Sequence, residues 1–350
     1  MKHLSAIFLT ALAWSSTTFA SVEIPEYVVH YEKYQEALAR ANRIEARDHA
    51  KNALESAREI LPENSQDLVQ LQFNYGQMLH ATGKSEQAVS ELEIAVDKIE
   101  IIFGENSEEL IAPLLMLGQA SVRQAKQALR VFRRANEIAE QHYVADSLQL
   151  ATVKGRIGQE MVNVGWAKQA RPFLNEAHDV LTANNELGQA AYFSFWLGKL
   201  ELLLRNKERA RAHFLAAVEH DSAAKIFAHA NLVQLFEETG ESSKATTHCQ
   251  AIGASRPFNP EQQQVPLYLS APEYPRRAQV AGREGWVVVN FTLDEEGFVR
   301  DPSVVDWKGH KLFGEAALKT MKKWRFAPRH VDGEPVATSD LRYKLTFELH

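Results

Sequence analysis

The chain has 350 residues, 45% hydrophobic and 24% charged, with 39 Lys and Arg against 45 Asp and Glu for a net charge of -6. That composition is globular and excludes a wholly disordered, collagenous or polytopic membrane chain, and without a basic surplus nucleic acid is not an expected partner. A single cysteine, Cys249, excludes an internal disulfide framework and a Cys-based structural zinc site.

Residues 1–20 open with Lys2 and His3, run apolar from Leu4 to Trp14, turn polar at Ser15 to Thr18, and end on the small-x-small triplet Thr18-Phe19-Ala20. This pattern predicts a secretory signal cleaved after Ala20. The apolar stretch falls short of the roughly 20 residues that span a bilayer, so no direct membrane insertion is expected after cleavage.

From residue 21 to residue 255 the chain is rich in Ala, Leu, Glu, Gln and Arg at helical spacing. A small residue, a bulky one four later and a small one three later recur as Ala50/Leu54/Ala57, Ala88/Leu92/Ala95, Ala128/Phe132/Ala135, Ala170/Leu174/Ala177, Ala210/Phe214/Ala217 and Ala245/Cys249/Ile252. Gly76 and Gly158 each stand twelve residues before such an alanine, Gly118 and Gly198 hold the corresponding first-helix position, and Gly83, Gly165 and Gly240 fall where a tight turn is needed. Each unit of about forty residues therefore reads as helix, turn, helix. The small residues allow close helix approach, and the bulky one is expected to fill the groove between neighbouring hairpins. The pattern resembles the longer-period form of the tetratricopeptide (TPR) repeat, with about six hairpins. That resemblance implies a solenoid with a face able to bind a peptide or a partner helix. The third unit has a turn two residues short, and the first lacks both glycines, as a terminal cap would.

Other features in this region read as structural. Gly83-Lys84-Ser85 lacks the upstream glycine of a phosphate loop, since Met78 stands there. His213, His220 and His229 read as helix-surface histidines, Glu237-Glu238 as a solvated pair near a helix end, and Cys249 as a buried inert thiol.

Three prolines and three glutamines between Arg256 and Pro266 end the helical region, and residues 256–265 are expected to be a linker. Beyond it, Trp286 to Leu293 alternates as a strand, Asp294-Glu295-Glu296-Gly297 is a turn, Phe298 to Asp306 a second strand and His310 to Trp324 a helix. A third strand puts Leu341, Tyr343, Leu345, Phe347 and Leu349 on one face and Arg342, Lys344, Thr346 and Glu348 on the other. Residues 266–350 carry a net charge of +1 and residues 21–265 one of -8, so a basic partner would suit the helical region.

The ordered segments Pro272-Glu273-Tyr274-Pro275-Arg276-Arg277-Ala278, Glu284-Gly285-Trp286-Val287-Val288-Val289-Asn290-Phe291, Asp294-Glu295-Glu296-Gly297, Ala316-Ala317-Leu318 and Lys323-Trp324-Arg325-Phe326-Ala327-Pro328, with the terminal strand, resemble the C-terminal domain of the TonB family of energy transducers. The fold expected for the chain is an all-α TPR-like solenoid followed by a small α+β domain, a three-stranded antiparallel sheet packed with helices. The resemblance implies that this domain engages the TonB box of an outer-membrane transporter, in iron or siderophore uptake, by adding an extended peptide to a strand edge. By that resemblance the peptide site is Asp340, Leu341, Arg342, Tyr343, Lys344, Leu345, Thr346 and Phe347, with Tyr274, Pro275 and Arg276 near the transporter plug.

Members of that family typically carry an N-terminal membrane helix and a Pro-rich spacer, and neither is recognisable here. The expected protein is therefore a periplasmic adaptor that contacts a TonB-dependent transporter or inner-membrane TonB-system proteins, its repeats holding a partner. The alternative is an envelope scaffold or regulator whose TonB-like domain forms a homodimer. No G-x-S-x-G elbow, H-E-x-x-H or phosphate loop occurs. No enzymatic activity, catalytic residue, cofactor or metal is expected.

Overall fold

The computed structural model describes residues 24–255 and 264–349, so the expected signal sequence and most of the expected linker lie outside it. Twelve α-helices run between Glu26 and Ala254 as six successive hairpins among the described residues: α1 Glu26–Ala39 with α2 Arg43–Ile60, α3 Gln66–Ala81 with α4 Ser85–Phe103, α5 Ile111–Ala120 with α6 Ala125–His142, α7 Leu148–Asn163 with α8 Ala167–Ala183, α9 Leu187–Leu203 with α10 Lys207–Glu219, and α11 Lys225–Glu238 with α12 Ser242–Ala254. The chain divides into two compact units, the second beginning at Asn136, within the sequence of α6.

The hairpin turns repeat one backbone device. After α3, α7, α9 and α11 the N–H of Lys84, Trp166, Asn206 and Glu241 donates to the carbonyl of Leu79, Met161, Glu201 and Phe236, at 2.7–2.9 Å. The residue just before each donor is left-handed, as this helix ending requires: Gly83 at φ 79°, Gly165 at 82° and Gly240 at 78°. In the fifth hairpin Arg205 takes that place at φ 62°, which a side chain makes costly.

Packing inside the hairpins corrects one expectation. The bulky triplet residue lies over the first-helix glycine of its own hairpin instead of filling a groove between hairpins. A Cβ on Gly76 would come within 2.8 Å of Leu92, on Gly158 within 2.7 Å of Leu174 and on Gly198 within 2.6 Å of Phe214, and one on Gly118 would overlap the Phe132 ring. All four bulky side chains are fully buried, each burial being worth about 1.5–3 kcal/mol. In the last hairpin the corresponding residues are Val233 and Cys249, buried in the same cluster, so a larger first partner accompanies a smaller second one.

Buried charge links neighbouring hairpins of the second unit. Arg171 on α8 reaches Glu201 on α9, which also accepts from Asn206 Nδ2 at 2.9 Å. Burial alone would raise the Glu201 carboxyl, but the hydrogen bonds and charge of Arg171 and Asn206 outweigh it and hold the group below the ordinary carboxylate range.

The C-terminal domain is centred on β2 (Gly285–Leu293), flanked antiparallel by β3 (Val299–Lys308) and β7 (Thr338–Phe347). Inward side chains Val287, Val289, Phe291 and Leu293 alternate with partly exposed ones, as period two demands. Helix α14 (Leu312–Met321) covers that face with Phe313, Ala317 and Met321, and Trp324, Phe326, Leu345 and Phe347 complete the core. Phe313 stacks on Phe347, centroids 4.4 Å apart. Helix α13 (Arg276–Val280) precedes the sheet.

Four short strands were not legible in the sequence: β1 (Pro266–Tyr268) pairs with β4 (Arg325–Phe326), and β5 (Arg329–Val331) with β6 (Glu334–Val336). Leu349, expected on the apolar face of the last strand, lies beyond its end and is exposed. The expected long helix from His310 to Trp324 is shorter at both ends; beyond its C-terminal end Trp324 donates Nε1–H to the Ser270 carbonyl at 2.9 Å.

Candidate functional site

Strand β7 is an edge. It pairs with β2 along one side, from Gly285↔Phe347 to Leu293↔Thr338, and its other side carries no strand among the described residues. Near its start the register shifts between Phe291 and Leu293, opposite an Asp340 at φ 58°, so Ser339 and Asp340 form a bulge facing one residue of β2. Beyond the bulge the sequence alternates as the pleat requires. Leu345 and Phe347 are buried, Leu341 and Tyr343 are partly buried against the core, and Arg342, Lys344 and Thr346 are exposed with Asp340. Tyr343 meets the Trp324 ring edge-on at 4.9 Å, and Lys344 Nζ sits 4.7 Å over the neighbouring Trp286 ring. The apolar side chains of the strand thus serve the core, and what β7 offers outward is backbone N–H and C=O with a fringe of charge.

Tyr274 is joined to this strand through the core. Its ring lies edge-on to Phe313 at 5.6 Å and to Phe347 at 5.8 Å, and its hydroxyl donates to the Arg283 carbonyl. Partial burial, then the nearby Glu284 carboxylate, holds the hydroxyl above its ordinary value. Pro275 is the N-cap of α13, and Arg276, its first residue, is exposed.

A second constellation was missed. Arg325, in the segment Lys323-Trp324-Arg325-Phe326, is fully buried, and its partners come from both the domain and the last helical hairpin. Its Nη2 donates to Thr246 Oγ1 on α12 at 2.7 Å and to the Glu296 carbonyl at 2.9 Å, and lies 3.7 Å from Cys249 Sγ. Its Nη1 is 3.3 Å from Glu237 Oε1 on α11, while the guanidinium lies 3.5 Å above the Phe298 ring. Neither Nη1 nor Nε has an aligned hydrogen bond, so the Glu237 contact acts through charge. Glu237, read from sequence as solvated, is instead an ion-pair partner with its carboxylate nearly covered, and the signal that could have found it is a cation inside an otherwise aromatic motif. Burial pushes the Cys249 thiol up to about 11 despite the adjacent guanidinium.

The histidine reading also changes. His229 on α11 and His248 on α12 face each other with Nδ1 atoms 2.8 Å apart, and His248 is buried and stacked on Phe236. Burial, then the His229 charge, lowers His248 to about 4, so the pair is neutral near pH 7 and shares one N–H. His220 remains on the surface.

Among the described residues no helix is long and apolar enough to cross a membrane. Residues 270–349 match the family model for the Gram-negative bacterial TonB protein C-terminal. "Protein TonB" of Pseudomonas aeruginosa is 40% identical over 72 residues, covering 21% of this chain and 21% of that protein. "Protein TonB" of Vibrio cholerae is 35% identical over 86 residues, covering 23% of this chain and 35% of that protein. The chain thus spans about a fifth and about a third of the length of these relatives. Among solved structures, the kinesin light chain TPR-like repeats of Podosopora anserina superpose with a TM-score of 0.49 at 13% identity, covering 56% of this chain and 94% of that one. The segment that matches the TonB C-terminal model thus follows a run of six helical hairpins.

Proposed function

We propose that the chain is a periplasmic adaptor of TonB-dependent outer-membrane transport. In this reading its C-terminal domain takes the TonB box of a transporter, or a segment of another TonB-system protein, as an added strand along β7. The helical hairpins hold a protein partner, and iron or siderophore uptake is the transport class. The observation that carries the reading is the ten-residue β7 with one unpaired side, inside a domain that matches the TonB C-terminal model. Peptide addition needs no catalytic group; it needs backbone donors and acceptors in register, with side chains choosing the sequence. About five such bonds, each worth ~0.5–1.5 kcal/mol net, give micromolar affinity at best. Binding should therefore be transient.

The test is an amide NMR titration of the mature chain with a TonB-box peptide. The expected result is a set of shifts confined to Asp340–Phe347 and the facing residues of β2. Shifts elsewhere, or none at millimolar peptide, would reject the reading.

A second reading, a scaffold whose domain pairs only with its own copy, draws on the opposite edge of the sheet. There β3 exposes Val305 at 50% and Trp307 at 53%. Sedimentation of the parent and of Trp307→Arg separates the two, because only the scaffold reading expects a dimer that the substitution dissociates.

A further inference from the structure

Helix α12 carries Thr246, Cys249, Gln250 and Gly253 at spacings of three, four and seven, which places them on one helical face. A terminal helix of a repeat array has no next repeat to cover it, and a solvated end needs a polar, charged outer face. This face has none of the long charged residues that would provide one. It is covered instead by the C-terminal domain. Gln250 Nε2 donates to the Glu295 carbonyl at 3.2 Å, Thr246 accepts from Arg325, and Gly253 lies so close that a Cβ would overlap the Pro328 carbonyl and come within 2.7 Å of His330. Leu267 and Tyr268 of β1 pack on the cluster that includes Val233, Phe236 and Cys249.

The charge bookkeeping points the same way. Arg325 is buried, and among the described residues its polar partner within its own domain is the Glu296 carbonyl, beside the Phe298 ring; its carboxylate is Glu237, supplied by α11. A desolvated guanidinium without an anion is strongly unfavourable, so the buried position of Arg325 requires the hairpin.

We infer that the outer face of α11 and α12 is an interaction surface whose partner is the chain's own C-terminal domain, seated there as the fixed end cap of the helical array by Arg325. The β1–β4 pair, the turn around Glu296 and the Pro328–His330 segment make this contact, and β7 contributes none of the bonds named above. A peptide on β7 would then be held at a fixed place relative to the terminal hairpin, with the repeats acting as a stem. That last step rests on the proposed function; the docking does not.

Gly253→Ala on the full mature chain decides the matter, because the two states predict opposite signs. In a separated domain alanine strengthens α12, as helix propensity dictates. In the docked arrangement its Cβ pushes Pro328 and His330 away. Hydrogen exchange is the readout, without any peptide. Docking predicts that protection of α12 and β1 falls by about tenfold or more while that of β2 and β7 is kept. Unchanged or increased protection of α12 would overturn it. Glu237→Gln, which removes the anion but keeps the shape, should give the same local loss, and no effect there would also count against the inference. Failure of the peptide titration with this pattern intact would reject peptide addition alone.

Discussion

Two strands of one small domain, β4 and β7, have opposite fates. Strand β4, two residues long, is closed: β1 pairs with it and its Arg325 is buried against Glu237 and Thr246 of the last helical hairpin. Strand β7, ten residues long, keeps one side open behind Asp340, Arg342 and Lys344. An open edge is an aggregation hazard, and charged residues and bulges along it blunt pairing with chance partners. The bulge at Asp340 and the alternating charges fit that role while leaving the backbone available to a peptide in register. Covering protects one strand by giving up its availability, and charge protects the other without doing so.

Arg325→Ala is the substitution most damaging to this contrast. It leaves the nearly covered Glu237 carboxylate unpaired and should cost about 3–5 kcal/mol in chemical denaturation. Lys344→Ala on the open edge should stay within about 0.5 kcal/mol of the parent. Equal losses would mean that the two strands are not differently used.

A glycine pair gives the next effect in size. Gly297 at φ 83° and Gly333 at φ 88° are both left-handed, but a Cβ on Gly297 would overlap the Phe326 carbonyl of the closed strand, whereas nothing lies within 4 Å at Gly333. Gly297→Ala should cost about 2–4 kcal/mol, and Gly333→Ala only the backbone strain of about 1–2 kcal/mol. Thermal unfolding measures both.

The smallest effect concerns pH in the hairpin that supports the closed strand. His248 has an ordinary value of 6.5 and falls to about 4 in the fold, so between those values the unfolded chain binds the extra proton. Its contribution to stability is complete above about pH 6.5 and is lost as pH falls towards 4. The groups facing it are His229, itself lowered by burial and by Lys225, and the Phe236 ring. His248→Gln should flatten that part of a stability-against-pH curve, and an unchanged slope would place the titration elsewhere.

The hairpins and the three long strands were legible because their periods, 3.6 and 2, extend over nine residues or more. Gly76, Gly118, Gly158 and Gly198 were visible as a spaced set, but sequence spacing alone did not say that Leu92, Phe132, Leu174 and Phe214 lie on them within one hairpin. Strands β1, β4, β5 and β6, of two or three residues, are too short to show a period. Strand β7 was legible through its alternation, and the family resemblance made its residues the candidate peptide edge. Arg325 and Glu237 were not, because their pairing spans 88 residues of chain and leaves no local pattern. The stripe Thr246, Cys249, Gln250, Gly253 was a readable clue, since a terminal helix face so poor in charge needs a cover.

The most direct test of the account is photo-crosslinking in the intact envelope from a probe at position 344, with the captured proteins identified by mass spectrometry and Tyr343→Pro as the control for β7. The account predicts capture of TonB-dependent transporters from the parent and its loss in the control. Capture of only the chain's own copies, or of transporters equally in both, would contradict it.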